Sequence, residues 1–274
     1  MNMHGRPCWF ELSTSDVDGA AAFYAPLFDW TIGASAMEAF DYRLAMSGTE
    51  AVAGLMGLER SPPGTPPNWM IYVCVDDADA TAGLAADRGG TVLHQPTDIP
   101  DTGRFAVLAD PQGAVFGILA PAPMDPPPSP DQGAFNQQKA GRGNWVELMS
   151  TDPGAGFAFY AALFGWTRGE AIDMSGGDMG GPAAAGSGPG SIYQLFRWQG
   201  TDIGGMMGLG DAPMPVWLPY FGANGIDAAI ERVRAGGGKL CHGPVEVPGG
   251  AFIAVLNDPQ GAWFAIVGPK DVTP

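Results

Sequence analysis

Two glutamates, two tyrosines and two histidines recur at matching places in the two halves of this chain, and these are the side chains best able to hold or move a proton. Glu11 lies in CWFELST and Glu147 in NWVELMS, each two residues after a tryptophan, Trp9 or Trp145. Tyr72 in NWMIYVC matches Tyr220 in VWLPYFG, and His94 after TVL matches His242 after KLC. Alternate residues of an extended strand share a face. With Phe10 and Leu12 turned to the helix, Trp9, Glu11 and Ser13 share the opposite face, as do Trp145, Glu147 and Met149. The same parity groups Met70, Tyr72 and Cys74, and in the second half Leu218, Tyr220 and Gly222. A carboxylate and a phenol on one apolar face form an acid/base or anchoring pair, with the glutamate pKa raised by its surroundings. They equally form a hydrogen-bonded contact that satisfies a half-buried polar group. Histidine titrates closest to neutrality, yet both histidines stand just before a turn (QP, GP), where a solvated histidine is ordinary. Trp9, Trp145, Trp69, Trp217 and Trp263 offer flat faces on which a planar ligand could stack, whereas Trp30 and Trp166, beside helix ends, read as core.

The elements that position these residues follow from an internal repeat. Cys8 to Gly33 (CWFELSTSDVDGAAAFYAPLFDWTIG) matches Asn144 to Gly169 (NWVELMSTDPGAGFAFYAALFGWTRG), and Ala106 to Leu119 (AVLADPQGAVFGIL) matches Ala254 to Val267 (AVLNDPQGAWFAIV). Correspondence at both ends marks a whole-domain duplication. Between the copies, Pro121 to Pro130 has six prolines in ten residues, a composition that favours an extended, stiff spacer. The expected layout is therefore one domain over 1–122, a Pro-rich linker over 123–142 and a second domain over 143–270.

Within a copy, WFELST alternates as a strand, Asp16 stands where a helix N-cap is wanted, and Ala20, Phe23, Tyr24, Leu27 and Phe28 recur at helical spacing. Pro26, deep in that helix, predicts a kink or an early end. Two short β runs follow, then the strand NWMIYVCV, a capped helix over DDADATAGLAADRGG, and three more strands, with Asp-Pro-Gln-Gly supplying type I turn chemistry before the last. Each copy reads as βαβββ twice over, an α+β domain. Because each copy owns a full set of strands and helices, segments 1–122 and 142–274 are each expected to fold alone. Ser175 to Ser191 (SGGDMGGPAAAGSGPGS) is an insertion peculiar to the second copy, read as a disordered loop or a lid.

A chain of 274 residues with 46% hydrophobic and 15% charged residues can bury substantial cores. Its formal charge of −16 repels nucleic acid and anionic membranes. There is no apolar run of membrane-spanning length and no leader-like start, so the expectation is a cytoplasmic protein, monomer or homodimer, whose partner is a small molecule. The cysteines Cys8, Cys74 and Cys241 are odd in number and do not correspond between copies, which predicts free thiols, with neither a disulfide framework nor a metal knuckle.

Strand, Asp-capped helix with FYxxLFxW, then a second βαβββ unit closing on DPQG and an aromatic strand, resembles the vicinal oxygen chelate superfamily of glyoxalase I, bleomycin-resistance proteins and extradiol dioxygenases. The resemblance implies two tandem α+β domains, each of two paired βαβββ modules forming a strongly curved, cup-shaped mixed sheet with helices outside. It also implies a divalent metal held by strands one, five and eight of a cup. Those positions fall on Trp9, Met70 and Gly117 in the first copy, and on Trp145, Leu218 and Ala265 in the second. None is an imidazole, carboxylate or thiolate, so no metal or other cofactor is expected. The function this predicts is a protein of the bleomycin-resistance kind that binds a small, mostly apolar or aromatic molecule in a metal-free cup. The anchors would be Glu11 and Glu147 with Tyr72 and Tyr220, and the lining Trp9, Trp145, Met70, Leu218, His94, His242 and Trp263. The alternative is a glyoxalase-like lyase or isomerase, working through a metal or through Glu and Tyr as acid and base.

Overall fold

A computed structural model describes residues 3–35, 41–123, 129, 131–174, 192–210 and 212–271. The insertion from Ser175 to Ser191 lies outside the described residues. The first half runs β1 (Pro7–Thr14), α1 (Val17–Phe28), β2 (Thr31–Ala34), β3 (Tyr42–Ser47), β4 (Glu50–Gly57), β5 (Asn68–Cys74), α2 (Ala78–Asp87), β6 (Thr91–Ile99), β7 (Gly103–Ala109) and β8 (Val115–Pro121). The second repeats it as β9 (Gly143–Ser150), α3 (Pro153–Phe164), β10 (Thr167–Asp173), β11 (Ile192–Trp198), β12 (Thr201–Gly208), β13 (Val216–Gly222), α4 (Ile226–Ala235), β14 (Lys239–Glu246), β15 (Phe252–Asn257) and β16 (Trp263–Gly268).

Each half builds its own open, mixed, eight-stranded sheet, in the orders β2-β3-β4-β1-β5-β8-β7-β6 and β10-β11-β12-β9-β13-β16-β15-β14. The two βαβββ modules of a half meet where β1 runs antiparallel to β5, and where β9 runs antiparallel to β13. Pairing is therefore within halves. The side chains of Asp16, Asp77 and Asp152 cap α1, α2 and α3 by accepting a backbone N–H three residues on. Pro26 does not end α1 early: the helix runs twelve residues, as α3 does, because Pro26 falls in its last turn. There Asp29 takes the left-handed C-cap (φ 56) that Gly165 takes after α3.

The helix-facing sides of the two sheets merge into one core. Phe10 and Trp69 of the first sheet meet Phe221 of the second, with ring centroids 5.3 and 5.0 Å apart. The FYxxLFxW segment of each half closes on the opposite half's DPQG turn. Tyr24 OH donates to Asp258 Oδ2 at 3.0 Å, and Tyr160 OH to Asp110 Oδ2 at 3.0 Å. Trp30 Nε1 donates to Gly141 O at 2.8 Å, and Trp166 Nε1 to Gly5 O at 2.6 Å. Phe264 packs on Tyr24 at 5.4 Å, and Phe116 on Tyr160 at 5.1 Å. A core shared in this way removes the ground for expecting 1–122 and 142–274 to fold separately. The segment just before β9 is also tied down: Ala134 and Phe135 are buried, and Arg6 Nη2 donates to Phe135 O at 2.6 Å.

Candidate functional site

On the face of each sheet turned away from the shared core, one buried glutamate is held by tyrosines. Glu11 (9% exposed) accepts from Tyr72 OH at Oε1 and from Tyr42 OH at Oε2, both at 2.9 Å, and Trp9 Nε1 donates to Tyr42 OH at 3.0 Å. Burial pushes the Glu11 pKa up, and the two phenols oppose the rise by stabilising the charged form. Glycines make room for the rings: a Cβ at Gly117 would overlap the Tyr72 ring, and one at Gly54 would overlap Tyr42. Gly117 lies opposite Tyr72 in register, so the last-strand position at which the resemblance implies a metal ligand is covered here by a phenol.

The second half reproduces the plan with one carboxylate oxygen left unpartnered. Tyr220 OH donates to Glu147 Oε2 at 3.1 Å, and Trp145 Nε1 to Tyr193 OH at 2.8 Å. Tyr193 stands close enough to favour the charged carboxylate, and Oε1 is buried with no hydrogen-bond partner. Burial here outweighs both tyrosines and raises the Glu147 pKa to about 7.

The cups differ in their lining. In the first, Trp9, Tyr42, Met56, Met70 and Phe105 are half-buried and line the face around Glu11. In the second, Met149, Met207, Leu218, Ile253 and Val255 pack on Tyr220 and Ala265 as a separate, buried apolar cluster. Met149 stands where the first cup has Ser13. Leu218 is thus covered by its neighbours, whereas Met70, its counterpart, is reachable.

The remaining expectations land unevenly. Trp69 and Trp217 face the helices: each is buried and donates its indole N–H to Tyr24 OH or Tyr160 OH at 2.9 Å, which removes them from any stacking role. Trp30 and Trp166 are core, as expected. Trp263 is 50% exposed at the start of β16, at the rim of its cup. His94 is exposed and stacks on Phe105 at 4.9 Å, while His242, opposite Val255, has a buried Nε2 without a hydrogen-bond partner. Tyr42 and Tyr193 were not singled out from the sequence. The available signal was that both open their repeat segments, YRLAMSG and YQLFRWQG, with a glycine (Gly54, Gly205) across the sheet.

The residues at the metal positions do not fit a divalent cation: an indole, a thioether and a glycine in the first cup, an indole, an isobutyl group and a methyl in the second. Among the described residues no group of three His, Cys, Asp or Glu converges on one point. Dialysis against EDTA is accordingly expected to leave the thermal midpoint unchanged, since a cation bound only by the folded state would raise it by mass action. A fall of several degrees would count against this.

Comparison with known proteins agrees with the geometry. Residues 9–119 match the family described as "Glyoxalase-like domain", and residues 142–266 the "Glyoxalase/Bleomycin resistance protein/Dioxygenase superfamily". The chain is 31% identical over 272 residues to "Putative glyoxylase CFP32" of Mycobacterium tuberculosis, covering 97% of this chain and 95% of that protein. It is 31% identical over 285 residues to "Anthracycline biosynthesis protein DauV" of Streptomyces sp. strain C5, covering 98% and 95%. Among solved structures, the Mn(II)-bound glyoxalase of Novosphingobium aromaticivorans superposes with a TM-score of 0.64 at 14% identity, over 99% of this chain and 84% of that one. The 2,3-dioxygenase LapB of Pseudomonas sp. KL28 gives 0.64 at 11% identity, over 100% and 96%. The chain thus belongs to the vicinal oxygen chelate superfamily, as two glyoxalase-like domains in tandem.

Proposed function

We propose that the first cup binds a small, mostly apolar or aromatic molecule without a metal, and that the second serves the fold. The observation that carries this is the contrast in lining. The first cup keeps a half-exposed wall of Trp9, Tyr42, Met56, Met70 and Phe105 around a carboxylate, whereas the second is closed by its own Met149, Met207 and Leu218. Mostly apolar concavities with a few polar anchors are the usual form of a small-molecule site. Both Glu11 oxygens already accept a phenol, so the carboxylate sets the position of Tyr42 and of the buried Tyr72, and the ligand meets Tyr42, Trp9 and Met70. Relatives named for anthracycline biosynthesis support flat, polycyclic aromatic compounds as first probes. The ligand reaches the protein by diffusion in the cytoplasm, with no nucleic acid or membrane involved.

A hydroxyanthraquinone titrated into metal-free protein by calorimetry tests the proposal. Trp9→Ala is expected to weaken binding about tenfold or more, equal to about 1.4 kcal/mol, while Trp263→Ala leaves it unchanged. No binding by the wild type across such probes, or a loss confined to second-cup variants, would overturn the assignment. One observation favours the enzyme reading, a glyoxalase-like lyase or isomerase: Glu147 combines an unpartnered oxygen with a pKa near neutrality, as a general base would. Turnover that follows a single ionisation near pH 7 and is lost in Glu147→Gln would move the function to the second cup.

A further inference from the structure

Cys8 and Cys74, distant in sequence, meet at one end of the first cup. Cys8 sits at the irregularity in β1 between Pro7 and Trp9, opposite the Tyr72–Val73 stretch of β5, and its thiol lies 3.5 Å from Tyr72 O. Cys74 ends β5, with its N–H donating to Arg6 O at 2.8 Å and its carbonyl accepting from Gly5 N at 2.8 Å. Arg6 is the residue directly opposite Cys74, so Cys8, two residues on and at the irregularity, is the diagonal neighbour of Cys74 on the adjacent strand, and the two thiols are in contact. The corresponding positions of the second half are also adjacent. There Asn144 and Gly222 correspond to Cys8 and Cys74, and a Cβ on Gly222 would overlap Asn144 Oδ1. Both cysteines are free thiols.

We infer that Cys8 and Cys74 form a dithiol site that a hydroperoxide oxidises to an intramolecular disulfide. Cys74 is the attacking member. Contact with the Cys8 thiol and the nearby Arg6 guanidinium lower its pKa, whereas Cys8 is pushed up by the same contact and by burial. In the first step the Cys74 thiolate attacks hydrogen peroxide: an S–O bond forms, the O–O bond breaks, and the departing hydroxide takes up a proton as water, leaving a sulfenic acid. In the second, the Cys8 sulfur attacks the Cys74 sulfur, the S–S bond forms and the S–O bond breaks. The Cys8 proton leaves with the hydroxyl as a second water. Two thiols are oxidised and one peroxide is reduced. Peroxide, being water-sized, reaches the pair past Cys8, which is half-buried, while Cys74 is buried. The bridge would join β1 next to Trp9 to β5 two residues after Tyr72, so oxidation acts on the wall of the first cup.

Cys241 is exposed and provides the control. The full chain is treated with about one equivalent of hydrogen peroxide, quenched with an alkylating agent under denaturing conditions and mapped by peptide mass spectrometry. The expected product is a peptide pair crosslinked through Cys8 and Cys74, with loss of two hydrogens, formed about tenfold faster than any change at Cys241 and reversed by dithiothreitol. In Cys8→Ser the resolving thiol is gone, and Cys74 is expected to be trapped by dimedone as its sulfenic acid. If Cys241 reacts first, or if Cys8 and Cys74 both remain alkylatable after Cys241 is consumed, the proposal fails. The wild-type map alone decides this, so a poorly folding variant leaves the test intact.

Discussion

Expressed apart, residues 1–122 and 143–274 should each lose cooperative thermal unfolding as dilute monomers, and mixing them should restore it. Separation strips the second half from Phe10, Tyr24, Trp69 and Phe116, and the first half from Tyr160, Phe221 and Phe264, all of them buried. Fully burying one large apolar side chain is worth about 1.5–3 kcal/mol. Even a few left exposed would therefore rival the roughly 5–15 kcal/mol by which domains are stable. Separation also leaves Asp110 and Asp258 without Tyr160 and Tyr24. Burial already raises the pKa of both carboxyls, and the tyrosine hydroxyl is among the groups that counter it. Circular dichroism melts of each half, of the mixture and of the intact chain are the measurement, with sedimentation to exclude self-association. Each half carries both the aromatic helix motif and its receiving turn, so a concentrated half can pair with itself. A dilute monomeric half melting cooperatively near the midpoint of the intact chain would contradict the shared core.

Glu147→Gln is expected to stabilise the protein at pH 8 and to change little at pH 5. Glu147 has a folded-state pKa of about 7, against an unfolded value near 4.3. Between those values the folded state binds more protons than the unfolded one, so this group's contribution falls as pH rises and is fully unfavourable above the folded pKa. A shift of this size corresponds to at most roughly 4 kcal/mol. The amide occupies the same volume and carries no charge, which removes the penalty while Tyr220 retains an oxygen to donate to. Denaturant melts of wild type and variant at the two pH values check this. A variant less stable than wild type at pH 8 would show that the charged form is the favoured one in place. The same change at Glu11 should gain less, because both of its oxygens accept a phenol hydroxyl.

Duplication, βαβββ order, helix caps and the outward face of Glu11 and Tyr72 were all legible from residue order, because strand parity, helical period and turn chemistry are set by neighbours within a few residues. The unsuitability of Trp9, Met70 and Gly117 as ligands was legible for the same reason: donor chemistry belongs to the side chain. What pairs across the chain was not legible in this way. Local pattern distinguishes the two faces of a strand but does not say what each face meets. Only the tertiary structure turned Trp69 and Trp217 toward Tyr24 and Tyr160, merged two expected cores into one, and set Tyr42 against Glu11. It also decided how deeply the lining of each cup is buried. Ser13 and Met149 occupy equivalent positions in the repeat, and whether a methionine there reaches solvent or fills the concavity depends on the volume left by Met207, Leu218 and Ile253, residues that converge on it from other strands.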